Sequence, residues 1–292
     1  MIVQGHKIRT LGKGKQPVVL VHGFGNSSLM WLPFAWPFRD RFTFYIPDLP
    51  GFGGNRAGMP PPGAGVLPFY AGFIQEVIEK TGSDSVYLVG FSLGALSSLQ
   101  LQALGGFSKV SRYLHVDHSP CPKRLPGWDG GIHADLWRRF EAIVERVRRE
   151  PATAHQPLEK LPADLAESYI ELLEVLGERS ISQPALRAFN RFLHRAPMVK
   201  KFVAGRASWP WAYAVIQTYL HGDYDFRPTL GQGNAKTTVL YGARSELFGP
   251  SAVGAMRDAM PGAQFTAFEK SGHDLIFNEP LRFAEALRRF LE

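Results

Sequence analysis

A serine occupies the centre of the pattern Gly90-Phe91-Ser92-Leu93-Gly94. The pentapeptide follows an apolar run typical of a strand and precedes a segment with helical spacing, so Ser92 is predicted to lie on a sharp turn between strand and helix. Such a turn places the hydroxyl at a helix N-terminus, where the backbone dipole favours developing negative charge. The flanking glycines remove side chains that would collide with the neighbouring strand and helix. We therefore expect Ser92 to act as a nucleophile.

An alcohol nucleophile needs a base to accept its proton, and the chain contains nine histidines. His273 lies in Ser271-Gly272-His273, after the last predicted strand and before the final predicted helix. Loops at the carboxyl ends of the strands are where open α/β sheets bind their ligands. The order of Ser92 before His273 along the chain also fits this type of serine turn. We expect His273 to be the base.

The segment His22-Gly23-Phe24-Gly25 directly follows the first predicted buried strand, so its loop is expected beside the serine turn. The backbone N–H groups of Phe24 and Leu93 are predicted to form an oxyanion hole together. Gly23 would allow the close approach that this requires. We expect His22 to orient the loop through hydrogen bonds rather than to transfer protons.

Alternating strands and helices must position these residues. Apolar runs bounded by turn residues predict strands at 17–22, 42–47, 85–89, 113–116, 237–241 and 264–268. Helical spacing is found at 29–38, 66–81, 93–104, 251–260 and 280–291. A short hairpin around Gly5 is expected at the N-terminus. The alternation predicts an α/β fold with a mostly parallel central sheet flanked by helices.

The alternation stops in the middle of the chain, where only helices are predicted: 134–149, 163–176, 184–193 and 209–220. We therefore expect residues 1–120 and 236–292 to form the α/β core and residues 121–235 to form an inserted helical cap. A helical domain with an unrelated role is the alternative. The insertion is rich in aromatic residues, which are expected to form its own core and, where they face Ser92, an apolar pocket.

Composition narrows the functional classes. The 292 residues carry a net charge of +7, with 45% hydrophobic residues and a mean hydropathy of −0.11, as in a soluble globular protein. The basic residues at 138–149 alternate with glutamates, which is typical of a solvated helix face, and no nucleic-acid motif accompanies them. The single cysteine, the lack of an apolar leader and the lack of a membrane-spanning run favour a cytoplasmic protein. Neither metal-ligand spacing nor a glycine-rich phosphate loop is present, so no metal or cofactor is expected.

Several motifs together resemble the α/β-hydrolase superfamily, within its capped esterase and lipase-like group. They are HGFG at 22–25, DLPGFG at 48–53, GFSLG at 90–94, DFRPTL at 225–230 and SGHDLIFNEP at 271–280. The resemblance covers nearly the whole chain and implies a fold and a nucleophile but no particular substrate. Epoxide hydrolases and haloalkane dehalogenases of this superfamily use an aspartate at the nucleophile turn, so the serine excludes their chemistries.

The resemblance also shows a departure at the acid of the catalytic triad. Family members usually carry Gly-x-x-Asp after the penultimate strand, whereas this chain has Ser245 at that position and Glu246 next to it. Glu246 could serve as the acid, or the reaction could proceed without an acid residue. Some small esterases instead place an aspartate after the strand that follows the nucleophile helix and pair it with a serine at the vacated site. Because Asp117 and Ser245 match both halves of this arrangement, we favour Asp117 as the acid with Ser245 hydrogen-bonded to it.

The predicted function is hydrolysis of a carboxylic ester of a small to medium, largely apolar substrate through an acyl-enzyme. A thioesterase, a lactonase or a C–C bond hydrolase would use the same residues, and a ligand-binding receptor on a hydrolase fold is the non-enzyme alternative.

Asp274, next to the predicted base, is expected to face solvent or to cap the following segment. The sequence leaves the oligomeric state open.

Overall fold

A seven-stranded sheet lies at the centre of the computed structural model, which describes residues 1–61, 65–185, 187–188 and 205–292. In chain order the strands are β1 (Ile2–Val3), β2 (His6–Lys7), β3 (Arg9–Gly12), β4 (Gln16–Val21), β5 (Phe42–Ile46), β6 (Val86–Phe91), β7 (Val110–Val116), β8 (Lys236–Gly242) and β9 (Gln264–Phe268). The order across the sheet is β3-β5-β4-β6-β7-β8-β9, and β1 pairs with β2 in a separate antiparallel hairpin. Within the large sheet only β3 runs antiparallel to its neighbour. The predicted mostly parallel α/β sheet is confirmed.

The strands are apolar because both faces of the sheet are covered. In β4, Val18 and Leu20 join one buried cluster, while Val19 and Val21 join the cluster on the opposite face. All four side chains have no exposed surface. A strand that alternates between two buried faces needs apolar residues at every position, which explains the continuous runs that predicted it.

The described helices are α1 (Leu32–Ala35), α2 (Val66–Glu79), α3 (Leu93–Ala103), α4 (Ala134–Arg149), α5 (Ala163–Ser180), α6 (Trp209–His221), α7 (Ser251–Ala259), α8 (Leu275–Asn278) and α9 (Pro280–Leu291). Helices α2 and α3 contribute to the cluster on one face of the sheet, and α1 and α9 to the cluster on the other face. The helix predicted at 29–38 is wrong as a single element, because α1 stands between two 3₁₀ turns, Ser28–Trp31 and Trp36–Phe38. Pro33 and Pro37 lack the N–H that a continuous helix would need there.

The chain between β7 and β8 adds α4, α5 and α6, and none of its described residues joins the seven-stranded sheet. Helix α6 packs on α2, where the Trp211 and Tyr70 rings stack with centroids 5.9 Å apart. Apolar residues of α4, α5 and α6 belong to the same buried cluster as α2 and α3. The helix predicted at 184–193 lies mostly outside the described residues. Of the helices that the structure describes, none is long and apolar enough to cross a bilayer.

Candidate active site

Ser92 lies on the turn between β6, which ends at Phe91, and α3, which begins at Leu93. Its backbone has φ 53° and ψ −120°, a conformation that residues other than glycine rarely adopt. The strain projects the side chain away from both elements at the carboxyl edge of the sheet. The local geometry is therefore that of a nucleophile turn.

Two glycines bring the loop after β4 against this turn. A Cβ on Gly94 would lie 2.6 Å from the Val21 carbonyl oxygen, and a Cβ on Gly23 would lie 2.8 Å from the Ser92 Cβ. Neither position has room for a side chain. The close contact brings the loop that carries Phe24 against the turn that carries Ser92 and Leu93.

The backbone N–H groups of Phe24 and Leu93 form no hydrogen bond with any residue that the structure describes. His22 holds the loop in place: its Nε2 accepts from the Leu49 N–H at 2.9 Å, and its Nδ1 donates to the Gly23 carbonyl at 2.8 Å. Burial lowers the pKa of His22, which keeps the ring neutral and preserves the acceptor on Nε2. The Phe24 N–H of this loop and the Leu93 N–H at the start of α3 are thus two donors that the described residues leave unused.

Ser92, His273 and Asp117 form a continuous hydrogen-bonded chain. The Ser92 Oγ and the His273 Nε2 are 2.8 Å apart, and the His273 Nδ1 and the Asp117 Oδ2 are 2.6 Å apart. A carboxylate can only accept, so Nδ1 carries the proton and Nε2 is left to accept from the serine hydroxyl. His273 and Asp117 are only 5% and 6% exposed, which strengthens both contacts.

Asp117 directly follows β7 and has φ 46°, in the left-handed region that aspartate tolerates better than most residues. Its Oδ1 accepts from the Gly242 N–H at 2.8 Å, and its Oδ2 also accepts from the Ser245 hydroxyl at 3.1 Å. Both donors lie at the end of β8, the neighbouring strand. The carboxylate of β7 therefore reaches the position next to β8 and is held there by three donors.

Glu246, the alternative acid, lies elsewhere in the structure. Its carboxylate forms ion pairs with Arg179 at 3.6 Å and with Arg187 at 3.1 Å. Both ring nitrogens of His273 are already occupied by Ser92 and Asp117. The geometry accordingly brings Asp117, and not Glu246, to His273.

The electrostatic surroundings of His273 favour its protonated form. Burial alone would lower the pKa of His273, but the hydrogen bond and charge of Asp117 and the charge of Asp274 outweigh it. The net effect is a pKa above the ordinary histidine value. The arrangement stabilises the imidazolium that forms when a base takes a proton from serine.

A cavity of about 620 Å³ opens at Ser92 and His273. Its described walls come from the β4 loop, from α4, α5 and α6, from the loop after β8 and from α8. Most of the lining side chains are apolar: Phe24, Phe91, Ile132, Phe140, Leu172, Leu173, Leu176, Ile181, Val215, Ile216, Leu247, Phe248 and Phe277. The helices between β7 and β8 thus form much of an apolar chamber over the serine.

The prediction that Asp274 caps the following segment is confirmed for its backbone only, whose carbonyl accepts from the N–H groups of Phe277 and Asn278. Its backbone stands at the first position before α8, but its side chain caps no helix N–H and instead lines the cavity. No local sequence pattern indicates the position of this side chain, because the wall around Asp274 comes from distant α5, whose Ser180 carbonyl accepts the Asp274 N–H at 3.1 Å.

His118 and Tyr219 are two further residues at the site that sequence analysis missed. The His118 Nε2 accepts from the Tyr219 hydroxyl at 2.8 Å, and its Nδ1 donates to the Ser119 carbonyl at 2.8 Å. Burial lowers the pKa of His118 well below its ordinary value, so Nε2 is available as an acceptor. Tyr219 also lines the cavity. The pair connects the turn that carries Asp117 to α6.

Comparison with known proteins agrees with this architecture. The sequence model of the family described as "Alpha/beta hydrolase family" matches residues 18–286, which is most of the chain. The chain belongs to the alpha/beta hydrolase family. The residues of this hydrolase that the family model matches include the Ser92 turn, the His273 loop and the whole helical segment between β7 and β8.

Relatives and solved structures of this hydrolase include several esterases. A pimeloyl-[acyl-carrier protein] methyl ester esterase of Klebsiella pneumoniae is 29% identical over 203 residues, which span 63% of this chain and 76% of the relative. An esterase from Exiguobacterium antarcticum is similar in structure with a TM-score of 0.72 at 21% identity, covering 97% of this chain and 94% of its own. A thermophilic esterase from Thermogutta terrifontis gives a TM-score of 0.69 at 21% identity, with 98% and 92% coverage. At such identities the structural likeness concerns the fold.

Proposed function

We propose that this hydrolase cleaves a carboxylic ester through a covalent acyl-enzyme, with Ser92 as nucleophile, His273 as base and Asp117 as acid. The observation that carries the proposal is the unbroken hydrogen-bonded chain from Ser92 through His273 to Asp117 at the floor of an apolar cavity. The named esterases among its relatives support the same reaction class.

In the first half of the reaction the Ser92 oxygen attacks the ester carbonyl carbon while His273 Nε2 takes the hydroxyl proton. The N–H groups of Phe24 and Leu93 are proposed to bind the oxyanion of the tetrahedral intermediate, since both are unused by the described residues. The imidazolium then gives its proton to the leaving alcohol as the bond between carbonyl carbon and alkoxy oxygen breaks. Water repeats the sequence on the acyl-enzyme and releases the acid.

Asp117 is proposed to hold His273 in the productive tautomer and to stabilise its positive charge. Ser245 is proposed to support the acid, because its hydroxyl donates to the same carboxylate oxygen that His273 contacts. Together with the Gly242 N–H it fixes the orientation of the carboxylate. Glu246 has no part in this mechanism, since its charge is neutralised by two arginines.

Residues 121–235 are proposed to form the cap of this enzyme, and its substrate is proposed to be a small to medium, largely apolar ester. The cavity volume of about 620 Å³ lies within the range of small-molecule sites, and its walls are mainly aliphatic and aromatic. Transfer of an acyl chain from water into such a chamber lowers the free energy by roughly 25 cal/mol for each Å² of apolar surface buried. The apolar walls therefore favour a substrate with a hydrocarbon acyl chain.

The test is hydrolysis of p-nitrophenyl esters from acetate to laurate, with Ser92→Ala as the inactive variant. Ser111→Ala is the matched control, because that serine lies at the opposite end of β7 from Asp117. We expect turnover that peaks at one chain length, is abolished by Ser92→Ala and is retained by Ser111→Ala. Labelling by a fluorophosphonate should follow the same pattern.

Two other outcomes are informative. Labelling of Ser92 without turnover of any ester would keep the nucleophile but overturn ester hydrolysis, and thioesters, lactones and ring-fission diketones would be assayed next. The absence of both labelling and turnover would indicate a ligand-binding protein on a hydrolase fold.

A further inference from the structure

One carboxyl group in the cavity has no hydrogen-bonding partner among the residues that the structure describes. Asp274 lines the chamber beside His273, and its side chain forms no hydrogen bond or ion pair with any residue that the structure describes. Its backbone is fixed, because its N–H donates to Ser180 and its carbonyl accepts from Phe277 at 3.0 Å and from Asn278 at 2.9 Å. The carboxyl is therefore held at the cavity wall by the main chain alone, with its oxygens available to a ligand.

The surroundings make this carboxyl costly to leave without a partner. It shares the chamber with many apolar side chains, and burial raises the pKa of Asp274. A polar group removed from water without a compensating hydrogen bond destabilises the protein. A bound molecule that supplied a donor would remove this penalty, whereas a purely hydrocarbon molecule would deepen it.

The nearby charges indicate what kind of donor fits. Arg206 also lines the cavity, and its positive charge acts on Asp274 in the direction that lowers the pKa of the carboxyl. A second positive charge close to Arg206, and to His273 when it becomes protonated, would be repelled. The site therefore suits a neutral donor such as a hydroxyl group rather than an ammonium group.

We propose that Asp274 is a specificity-determining residue that accepts a hydrogen bond from a hydroxyl group of the substrate. The preferred ester then combines an apolar chain with a hydroxyl on its acyl or its alcohol part. This inference rests on the proposed ester hydrolysis and adds the chemical class of the substrate. Sites built around a buried hydrogen-bonding group discriminate strongly against analogues that lack the partner.

The experiment compares matched ester pairs in the wild type, in Asp274→Asn and in Asp274→Leu. On the acyl side the pair is p-nitrophenyl hexanoate with its 3-hydroxy and terminally hydroxylated forms. On the alcohol side it is propyl butyrate with its hydroxypropyl analogues, followed by titration of the released acid. The measured quantity is the ratio of kcat/KM for the hydroxylated ester to kcat/KM for the plain one.

The ratio isolates the contact from other effects of the substitution. Asp274 also acts on the pKa of His273, which changes the rates for all esters alike and cancels in the ratio. We expect the wild type to prefer one hydroxylated ester by about tenfold or more, corresponding to one charge-assisted hydrogen bond. Asp274→Leu should abolish the preference, and Asp274→Asn should keep part of it through the amide oxygen. Asp258→Leu changes an exposed aspartate of α7 and should leave the ratio as in the wild type.

The failures can be told apart. Hydrolysis of plain esters with a ratio near one for every pair, or a preference that survives in Asp274→Leu, would overturn the inference and leave the proposed hydrolase intact. If no ester of either kind is hydrolysed and Ser92 is not labelled, the proposed function fails and the inference fails with it.

Discussion

Three donors converge on Asp117: the His273 ring, the Ser245 hydroxyl and the Gly242 N–H. Each carboxylate oxygen has a defined role in this arrangement, because Oδ1 receives the backbone donor and Oδ2 receives the other two. A replacement side chain at this position would face the same three donors in the same places. The consequences of substituting Asp117 can therefore be derived from the hydrogen-bond directions.

Asp117→Asn is expected to lower kcat by about three to four orders of magnitude, as loss of the acid does in serine triads. The Gly242 N–H would hold the amide oxygen at the Oδ1 position, which turns the NH₂ group toward His273 Nδ1. His273 would then keep its proton on Nε2 and could not accept the proton of Ser92. The measurement is kcat on the best p-nitrophenyl ester.

Glu246→Gln is the matched control and should change kcat by no more than a few-fold, since Glu246 pairs only with Arg179 and Arg187 among the described residues. Circular dichroism should show that both variants are folded. A larger loss in Glu246→Gln than in Asp117→Asn would reverse the assignment of the acid.

The dependence of activity on pH should report the neighbours of His273. The base must be neutral to act, so kcat/KM is expected to fall as pH decreases through the raised pKa of His273. Asp274→Asn removes one of the negative charges that raise this pKa, and the acidic limb of the profile should move to lower pH. Asp258→Asn should leave the limb in place. An unchanged or upward-shifted limb in Asp274→Asn would contradict the electrostatic coupling.

At the scale of elements, the turn after β7 is attached to helix α6. The turn carries Asp117 in a left-handed conformation, and the next residue, His118, is bonded to Tyr219 of α6. The His118 ring also lies 4.5 Å from the Phe248 ring, which lines the cavity. The position of the proposed acid thus depends on the helical segment above it.

Tyr219→Phe is expected to lower kcat by about fivefold, the effect of roughly 1 kcal/mol for one neutral hydrogen bond. The loss leaves the His118 acceptor unsatisfied and loosens the turn, so it should be equal for all acyl chain lengths. Tyr213→Phe is the matched control on the same helix, because that hydroxyl bonds only Gln217 among the described residues. A change confined to KM would instead assign Tyr219 to substrate contact, and equal losses in both variants would contradict the positioning role.

Elements buried on two sides were the most predictable from sequence. Strand β4, predicted at 17–22 and found at Gln16–Val21, was indicated by a continuous apolar run because its side chains face two buried clusters, whereas the helix expected at 29–38 was divided by two prolines. At the site, Ser92 and His273 could be proposed from local patterns. Asp117 needed a family resemblance, and the cavity position of Asp274 depends on packing against α5, which no local pattern encodes.

At the scale of the whole molecule, the core and the proposed cap share one hydrophobic cluster. Trp211 is one link between them: it is 2% exposed, stacks on Tyr70 and donates its Nε1 proton to the Gly58 carbonyl at 3.0 Å. A shared cluster predicts that the two parts unfold together rather than one after the other.

Trp211→Ala is expected to lower the free energy of unfolding by about 3–5 kcal/mol through the cavity that it leaves. Urea unfolding followed by circular dichroism and by fluorescence should show one transition at a lower midpoint with both probes. Trp36→Ala, which removes a 56% exposed tryptophan, should cost about 1 kcal/mol or less. Two separate transitions in Trp211→Ala would show that the cap is an independent folding unit.

The meeting of Asp117 and Ser245 has an evolutionary consequence. Because the two side chains from adjacent strands touch, an acid supplied from either strand end reaches the same imidazole with a small displacement. A lineage could exchange one position for the other through an intermediate with aspartate at both, in which the two carboxyl groups share one proton. Such enzymes should therefore be compared at the carboxylate that contacts the histidine rather than at one sequence position. Two homologues can differ in the strand that supplies this carboxylate although neither lineage ever lost activity.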